Sequence, residues 1–147
     1  MLESMPPRPK KVPRVAAIDL GKARAGIAVV DELGLMAHSR GFLDAQSRKP
    51  LLAALKELAV EEKLERFLVG LPLEMTGEAG RAARNATEFA QQLADATGLE
   101  IELCDERLTT VEAARRLDDR GLKRRDQKKL IDGASAAVIL QSWLDRR

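Results

Sequence analysis

Residues 14–31 read RVAAIDLGKARAGIAVVD, and this stretch decides the fold class of the chain. Its first apolar run, residues 15–20, predicts a buried strand, and its second run, residues 25–30, predicts another. Gly21 lies in the short connection, so the two strands are expected to pair in opposite directions. Asp19 stands at the end of the first strand, where an ionised carboxylate is unfavourable unless a cation or a hydrogen-bond network compensates it. What compensates Asp19 is therefore the central question about the function.

The rest of the chain adds a third strand and then alternates helices with strands. The third strand is predicted over residues 35–43 and completes an antiparallel meander. The elements that follow are a helix at 47–59, a strand at 66–71, a loop at 72–80, a helix at 81–97, a strand at 99–104 and helices at 109–120 and 127–144. A meander followed by crossover units predicts an α/β fold. Its mixed five-stranded sheet would have three antiparallel strands and then parallel ones, with helices on its faces.

Length and composition indicate one soluble domain. The chain has 147 residues, of which 45% are hydrophobic and 33% charged, and this size suits a single core. No apolar run is long enough to cross a membrane and no secretory signal is visible, so we expect a cytoplasmic protein without a membrane partner. Residues 1–13 hold four of the six prolines among basic residues and predict a disordered arm. Residues 14–147 are then the folded domain.

The chain has one cysteine, Cys104, and one histidine, His38. A single cysteine excludes an internal disulfide and a zinc site built from cysteines. A Ser-His-Asp or Cys-His mechanism would have to use His38 as its base. That histidine lies in an apolar-rich stretch, which favours a structural or surface role.

The net charge of +2 is too small to indicate a polyanionic partner, but the basic residues are clustered. One cluster lies at the N-terminus, and a second lies between residues 120 and 129 and includes Lys123, Arg124 and Arg125. Such clusters bind phosphates or form solvated segments, and charge alone favours neither interpretation. Aromatic residues make up only 3% of the chain, which is too few for base-stacking platforms. A bound nucleic acid would therefore be held by its backbone.

Three carboxylates on separate stretches are candidates for one site: Asp19, Glu106 and Asp132. The first two lie at the carboxyl ends of predicted strands, where ligands of such sheets collect, and the last helix can bring Asp132 to the same edge. Carboxylates held together stay ionised only near a cation, and an all-oxygen site suits Mg²⁺ or Mn²⁺. Paired ions would support phosphodiester cleavage. The alternatives are a turn residue at 19, an ion pair or helix cap at 106 and an exposed helix position at 132.

Four segments of the sequence match a known family in order and spacing. They are residues 19–29 (DLGKARAGIAV), 69–77 (VGLPLEMTG), 105–113 (DERLTTVEA) and 131–132 (ID) followed by 136–141 (AAVILQ). Together they resemble the YqgF/RuvX family over residues 14–147, and the Asp-Glu-Arg-Leu-Thr-Thr block is the most specific of them.

The resemblance implies a ribonuclease H-like fold and a metal-dependent nuclease. It implies that Asp19, Glu106 and Asp132 are the catalytic acids and the metal ligands. The family was first described as Holliday junction resolvase-like and is now mostly assigned to maturing the 5′ end of the 16S ribosomal RNA precursor. Ribosomal RNA processing in the cytoplasm is therefore the implied role.

The chain departs from the family pattern at two places. The family usually has Lys-Arg where this chain has Ala23-Arg24, so one basic contact is in doubt. Junction resolvases of this fold often carry a fourth acid at the position of Ser135, so the number of metal ions stays open.

Basic residues and glycines near the three acids are candidates for substrate binding. The start of the helix after the loop at 72–80 can present backbone N–H groups to a phosphate, and arginines on that helix can clamp a nucleic-acid backbone. The alternatives are an ordinary glycine-rich connection and ion pairing with the neighbouring acids. The nucleic-acid-binding candidates are Lys22, Arg24, Gly77, Arg81, Arg84, Arg107, Lys123, Arg124 and Arg125.

The function that the sequence favours is 5′-end maturation of precursor 16S ribosomal RNA by a monomer or weak homodimer. Resolution of four-way DNA junctions uses the same chemistry, but symmetric cuts need a dimer. Two other classes stay open. One is a nucleotide-binding module of the actin-like type, which needs two such domains where this chain has room for one. The other is a non-catalytic RNA-binding factor for ribosome assembly.

Overall fold

A computed structural model describes residues 13–72, 77–106 and 134–147. Its strands are β1 (Val15–Leu20), β2 (Arg24–Val30), β3 (Ala37–Asp44), β4 (Arg66–Leu71) and β5 (Glu100–Asp105). Its helices are α1 (Arg48–Glu61), α2 (Gly77–Thr97) and α3 (Ala134–Asp145). The strands form one sheet in the order β3-β2-β1-β4-β5. The β1-β2 and β2-β3 pairs are antiparallel, and the β1-β4 and β4-β5 pairs are parallel, which confirms the predicted mixed sheet.

Successive side chains of β1 point to opposite faces of the sheet, as strand geometry requires. Ala16 and Ile18 belong to a core with buried residues of α1 and α2, whereas Val15 and Ala17 belong to a second core with buried residues of α3. The sheet is therefore covered on both faces, by α1 and α2 on one and by α3 on the other. Full burial of one large apolar side chain in these cores stabilises the fold by about 1.5–3 kcal/mol.

Helix α3 is tied to β3 through one buried polar side chain, Gln141. Its Oε1 accepts a hydrogen bond from the backbone N–H of Ala37 at 2.9 Å. Its Nε2 donates to the carbonyl of Leu35 at 3.0 Å and to Asp145 Oδ1 at 2.9 Å. Because Gln141 is fully buried, these bonds leave α3 little freedom to slide along the sheet.

The loop between β2 and β3 is organised by Asp31. Its Oδ1 accepts hydrogen bonds from the backbone N–H groups of Leu35 at 2.9 Å and Met36 at 3.3 Å. Burial acts to raise the pKa of the Asp31 carboxyl, but those two bonds, the charge of His38 and a bond from Gly34 together lower it. The bonds to residues 35 and 36 explain why β3 begins at Ala37 and not at residue 35.

Helix α2 begins at Gly77, four residues before the predicted start at Arg81. The stretch from 77 to 80 has two glycines, whose poor helix propensity favours a loop. Gly80 is buried in the structure, so close packing of the backbone offsets that propensity here. The correction makes Gly77 the first residue of the helix.

Other predictions fall partly outside the described residues. The helix predicted at 109–120 and residues 127–133 of the last helix lie there, as does the predicted arm except for Pro13. Ser47 holds the predicted N-cap position of α1 but makes no capping hydrogen bond with its side chain. Within the described part of the chain, none of the helices has the length and apolar composition needed to span a bilayer.

Candidate active site

Two of the three predicted acids, Asp19 and Glu106, lie side by side at the carboxyl edge of the parallel strands. Asp19 is in β1, two residues after Ala17, so alternation directs its side chain to the face that α3 covers. Glu106 directly follows β5. Strand β4 separates β1 from β5, and the two side chains reach each other across it.

Gly70 of β4 leaves the space through which Glu106 reaches Asp19. A Cβ atom at position 70 would lie 3.0 Å from Glu106 Oε1 and 2.8 Å from Ile139 Cδ1 of α3. Both distances are shorter than ordinary van der Waals contact. The absence of a side chain at this position is therefore a requirement of the site as well as of the packing of α3.

The carboxyl groups of Asp19 and Glu106 are close enough to share a hydrogen bond. Burial raises the pKa of Glu106 most, followed by the negative charge of Asp19, the hydrogen bond with Asp19 and the charge of Asp105. Two carboxyl groups this close repel each other when both are ionised, and a cation at this edge would offset that repulsion.

The donor set at this edge fits a hard divalent cation. Two carboxyl groups in contact supply oxygen ligands only, which are the ligands that hard divalent cations prefer. Within residues 13–72, 77–106 and 134–147, no group of three or more His, Cys, Asp and Glu side chains has the arrangement of a metal site. A complete ligand set thus needs at least one oxygen donor from elsewhere, and Asp132, the third predicted acid, lies outside the described residues.

The first turn of α3 packs beside Asp19. Asp19 is paired with Gly26 across the β1-β2 ladder. A Cβ atom at Gly26 would lie 3.8 Å from the Cβ of Ala136, which is ordinary contact. Ala136 is the third residue of α3, and Asp132 precedes the first residue of that helix by two positions.

Arg24 is held on the same face of the sheet as Asp19. It is the first residue of β2 and lies two positions before Gly26, so its side chain projects toward the α3 face. Its guanidinium lies 4.5 Å from the ring centroid of Phe42 on the neighbouring strand. A cation stacked on an aromatic ring keeps a defined position while its N–H groups stay available.

Lys22 and Arg81 meet in a cleft of about 430 Å³ on the other face of the sheet. The remaining lining residues are Leu20, Gly21, Ala82 and Asn85. The turn that shapes the cleft is tight, because the N–H of Gly21 donates to the carbonyl of Arg24 at 2.9 Å. A Cβ at Gly21 would lie 2.7 Å from that carbonyl oxygen, so the turn requires glycine.

The other predicted binding residues are not gathered at this cleft. Arg84 is exposed on α2 and is not among the residues that line it. Gly77 starts the same helix. Four further candidates lie outside the described residues: Arg107, Lys123, Arg124 and Arg125.

Sequence reasoning did not identify Asn85 or Gly70 as part of the site. The only signal for Asn85 was its spacing, one helical turn after Arg81. Gly70 was visible only as a glycine within an apolar strand, a pattern that suggests a close approach of other atoms.

Cys104 and His38 take no part in this site. Cys104 is 8% exposed, and burial, with the charge of Glu102, raises the pKa of its thiol to about 11. A thiol in that state is a poor nucleophile, and Cys104 instead packs in the core that α3 covers. His38 is exposed on β3.

Comparisons with known proteins find similar sequences that cover most of the chain. Residues 13–146 match the model of the RuvX family, described as Holliday junction resolvase. A protein of Anaeromyxobacter dehalogenans strain 2CP-1, named "Putative pre-16S rRNA nuclease", is 45% identical over 134 residues, which cover 91% of this chain and 98% of that protein. A protein of the same name from Myxococcus xanthus strain DK1622 is 41% identical over 132 residues, 90% of this chain and 87% of its own.

Solved structures with the same fold include proteins that bind or resolve Holliday junctions. T. thermophilus RuvC in complex with a Holliday junction substrate has a TM-score of 0.62 at 18% identity, over 91% of this chain and 96% of that one. The fowlpox virus Holliday junction resolvase has a TM-score of 0.55 at 11% identity, over 91% and 99%. These likenesses show the fold alone, and they confirm the predicted ribonuclease H-like architecture.

Proposed function

The chain belongs to the RuvX family, and from that premise we propose that it is a divalent-metal-dependent nuclease that matures the 5′ end of precursor 16S ribosomal RNA. The observation that carries the proposal is the contact between the Asp19 and Glu106 carboxyls at the edge of the sheet. The choice of RNA follows the name shared by relatives that are 41–45% identical to this chain.

Asp19, Glu106 and Asp132 would together hold Mg²⁺ or Mn²⁺. A bound divalent cation supplies positive charge that polarises the phosphodiester and the attacking water. Asp19, fixed in the β1-β2 ladder, orients the ligand set. Glu106 would be the second carboxylate ligand, and Gly70 leaves room for its side chain. Asp132 is the expected third ligand because the first turn of α3 packs beside the strand position of Asp19.

Basic side chains around the acids would bind the substrate backbone. Arg24, stacked on Phe42, is placed to meet a phosphate on the α3 face. Lys22 and Arg81 flank the cleft on the opposite face. Direct hydrogen bonds from cationic groups to phosphate oxygens position a strand without reading its sequence, which agrees with the low aromatic content.

Two isosteric variants test the acid pair. Asp19→Asn and Glu106→Gln keep side-chain volume but remove ligand charge, so each is expected to lower cleavage about a thousandfold, the equivalent of several kcal/mol. The measurement is cleavage of labelled precursor 16S RNA with Mn²⁺, Mg²⁺ or EDTA. Asp95→Asn and Glu57→Gln, exposed acids on α2 and α1, are matched controls. Wild-type turnover by either site variant would overturn the proposal.

Resolution of four-way DNA junctions is the second candidate, favoured by the description of the family model. A synthetic junction incubated beside the precursor RNA distinguishes the two substrates. Preference for the junction, with paired symmetric cuts and a dimeric mass in solution, would replace the RNA proposal. Binding of RNA without cleavage under every metal condition would instead indicate a non-catalytic assembly factor.

A further inference from the structure

The cleft formed by Leu20, Gly21, Lys22, Arg81, Ala82 and Asn85 lies on the opposite face of the sheet from the acid pair. Asp19 and Leu20 are consecutive in β1, so their side chains point to opposite faces. Leu20 packs against the core shared by α1 and α2. Consecutive Cα atoms are about 3.8 Å apart, so the cleft begins at the strand position next to Asp19.

The chemistry of the cleft is that of an anion-binding site. Two cations, Lys22 and Arg81, stand at it, and both are exposed to solvent. None of the described residues that line it is acidic. Leu20 and Ala82 supply the apolar part of its lining.

Asn85 adds a hydrogen-bond donor, and Arg48 sets the orientation of its side-chain amide. Arg48 of α1 donates to Asn85 Oδ1 at 2.8 Å and to Gln92 Oε1 at 2.8 Å. The guanidinium of Arg48 also lies 5.1 Å from the ring centroid of Phe89. Because arginine has no acceptor, the amide oxygen of Asn85 must face Arg48. Its Nδ2 is then left as a donor without a partner among the described residues.

We propose that this cleft binds one backbone phosphate of the substrate strand, a neighbour of the bond that is cut, through Lys22, Arg81 and the Nδ2 of Asn85. The inference rests on the proposed nuclease function and adds the path of the strand. The strand passes from the acid pair over the turn at Gly21 to the face covered by α2. Arg48 is a positioning residue that acts only through Asn85.

The inference is tested by replacing phosphates one at a time. In the cleavage-deficient Asp19→Asn background, affinity is measured for a short labelled single-stranded RNA and for copies in which one linkage is a neutral methylphosphonate after a 2′-deoxynucleotide. We expect the methylphosphonate at one linkage to lower the affinity about tenfold, which is the equivalent of one charge-assisted contact. We call this loss of affinity the linkage penalty. When Asn85→Asp, Lys22→Met or Arg81→Met is added, the penalty at that linkage should disappear, while the effects at the other linkages stay the same.

Matched controls separate the cleft from general charge effects. Gln91→Glu adds a carboxylate on the same helix outside the cleft, and Lys56→Met removes an exposed cation from α1. Both should keep the penalty at the same linkage. If the three cleft variants also keep it, the cleft does not bind a phosphate and the inference is wrong. A wild-type protein that does not cleave the precursor would be a separate result, and it would overturn the proposed function. The effect of each methylphosphonate on affinity would still show whether the cleft binds a phosphate.

A double-mutant comparison tests whether Arg48 acts only through Asn85. Arg48→Met should reduce the linkage penalty, whereas Arg48→Met combined with Asn85→Ala should bind the RNA no more weakly than Asn85→Ala alone. A purely structural role would instead make the two effects add. Thermal unfolding of each variant shows whether the fold is retained, and additive losses in affinity would remove Arg48 from the site.

Discussion

At the scale of single residues, the site requires that position 70 has no side chain, which only glycine provides. Gly70→Ala would place a methyl group 3.0 Å from Glu106 Oε1 and 2.8 Å from Ile139 Cδ1. We expect a loss of about 1–3 kcal/mol in the free energy of unfolding from overpacking. Cleavage should fall about 100-fold, because displacement of a catalytic group by about 1 Å has that effect.

The two contacts of Gly70 can be separated by a second substitution. Ile139→Val removes the Cδ1 atom, so Gly70→Ala should cost less unfolding free energy in that background, while cleavage stays low because the contact with Glu106 remains. Gly26→Ala is the matched control, since its Cβ would meet only ordinary contacts at 3.7–3.8 Å. Recovery of cleavage together with stability would show that Glu106 is not displaced.

The residues of the site differ in how far the sequence could predict them. The sequence could place Asp19 and Glu106 at one edge of the sheet because both lie at the ends of strands, and strand periodicity is a local property. Their role as metal ligands stays a prediction. Gly70 and Asn85 were not, because their roles depend on atoms from β5, α3 and α1 that only the packed structure brings near. The same holds for Gln141, because its backbone partners at Leu35 and Ala37 lie more than 100 positions earlier in the chain.

At the scale of elements, the β2-β3 loop depends on the ionised form of Asp31. Its pKa is lowered in the folded protein, below the value of about 3.9 for an unfolded chain. A depressed folded pKa adds stability above the unfolded pKa, and that stability is lost as pH falls through the folded pKa. Asp31→Asn should therefore lower the free energy of unfolding by about 1 kcal/mol at neutral pH.

The difference between wild type and Asp31→Asn should shrink as pH falls below about 4, because the carboxyl then becomes neutral in both states. Urea denaturation at several pH values measures it. Glu32→Gln, a change at the exposed neighbouring residue, serves as the control. A difference that is independent of pH would mean that the loop uses the hydrogen bonds of Asp31 but not its charge.

Element boundaries were less predictable than element types. The strand β4 was predicted with its observed bounds, Arg66–Leu71, because an unbroken apolar run leaves little choice. Helix α2 starts earlier than predicted because the burial of Gly80 outweighs glycine's low propensity for helix. In that case, packing between elements and not the local sequence pattern sets where the helix begins.

At the scale of the whole molecule, the arrangement of charge matters more than its sum. The formal net charge is only +2, which gives a weak overall field for attracting a nucleic acid. Arg24 lies on one face of the sheet edge, and Lys22 and Arg81 lie on the other. A strand that crosses this edge would meet all three cations.

Salt dependence of binding tests that arrangement. Each phosphate contact adds about 0.7 to the slope of log K against log salt for a single strand, so replacing Lys22, Arg24 and Arg81 by Met together should lower the slope by about 2. Replacing Lys56, Lys63 and Arg147 by Met removes the same charge from exposed positions that do not line the cleft and should change the slope little. Both triple variants are compared in the Asp19→Asn background with one labelled RNA. Equal changes in slope would mean that the strand responds to net charge, and the path across the β1-β2 turn would then be wrong.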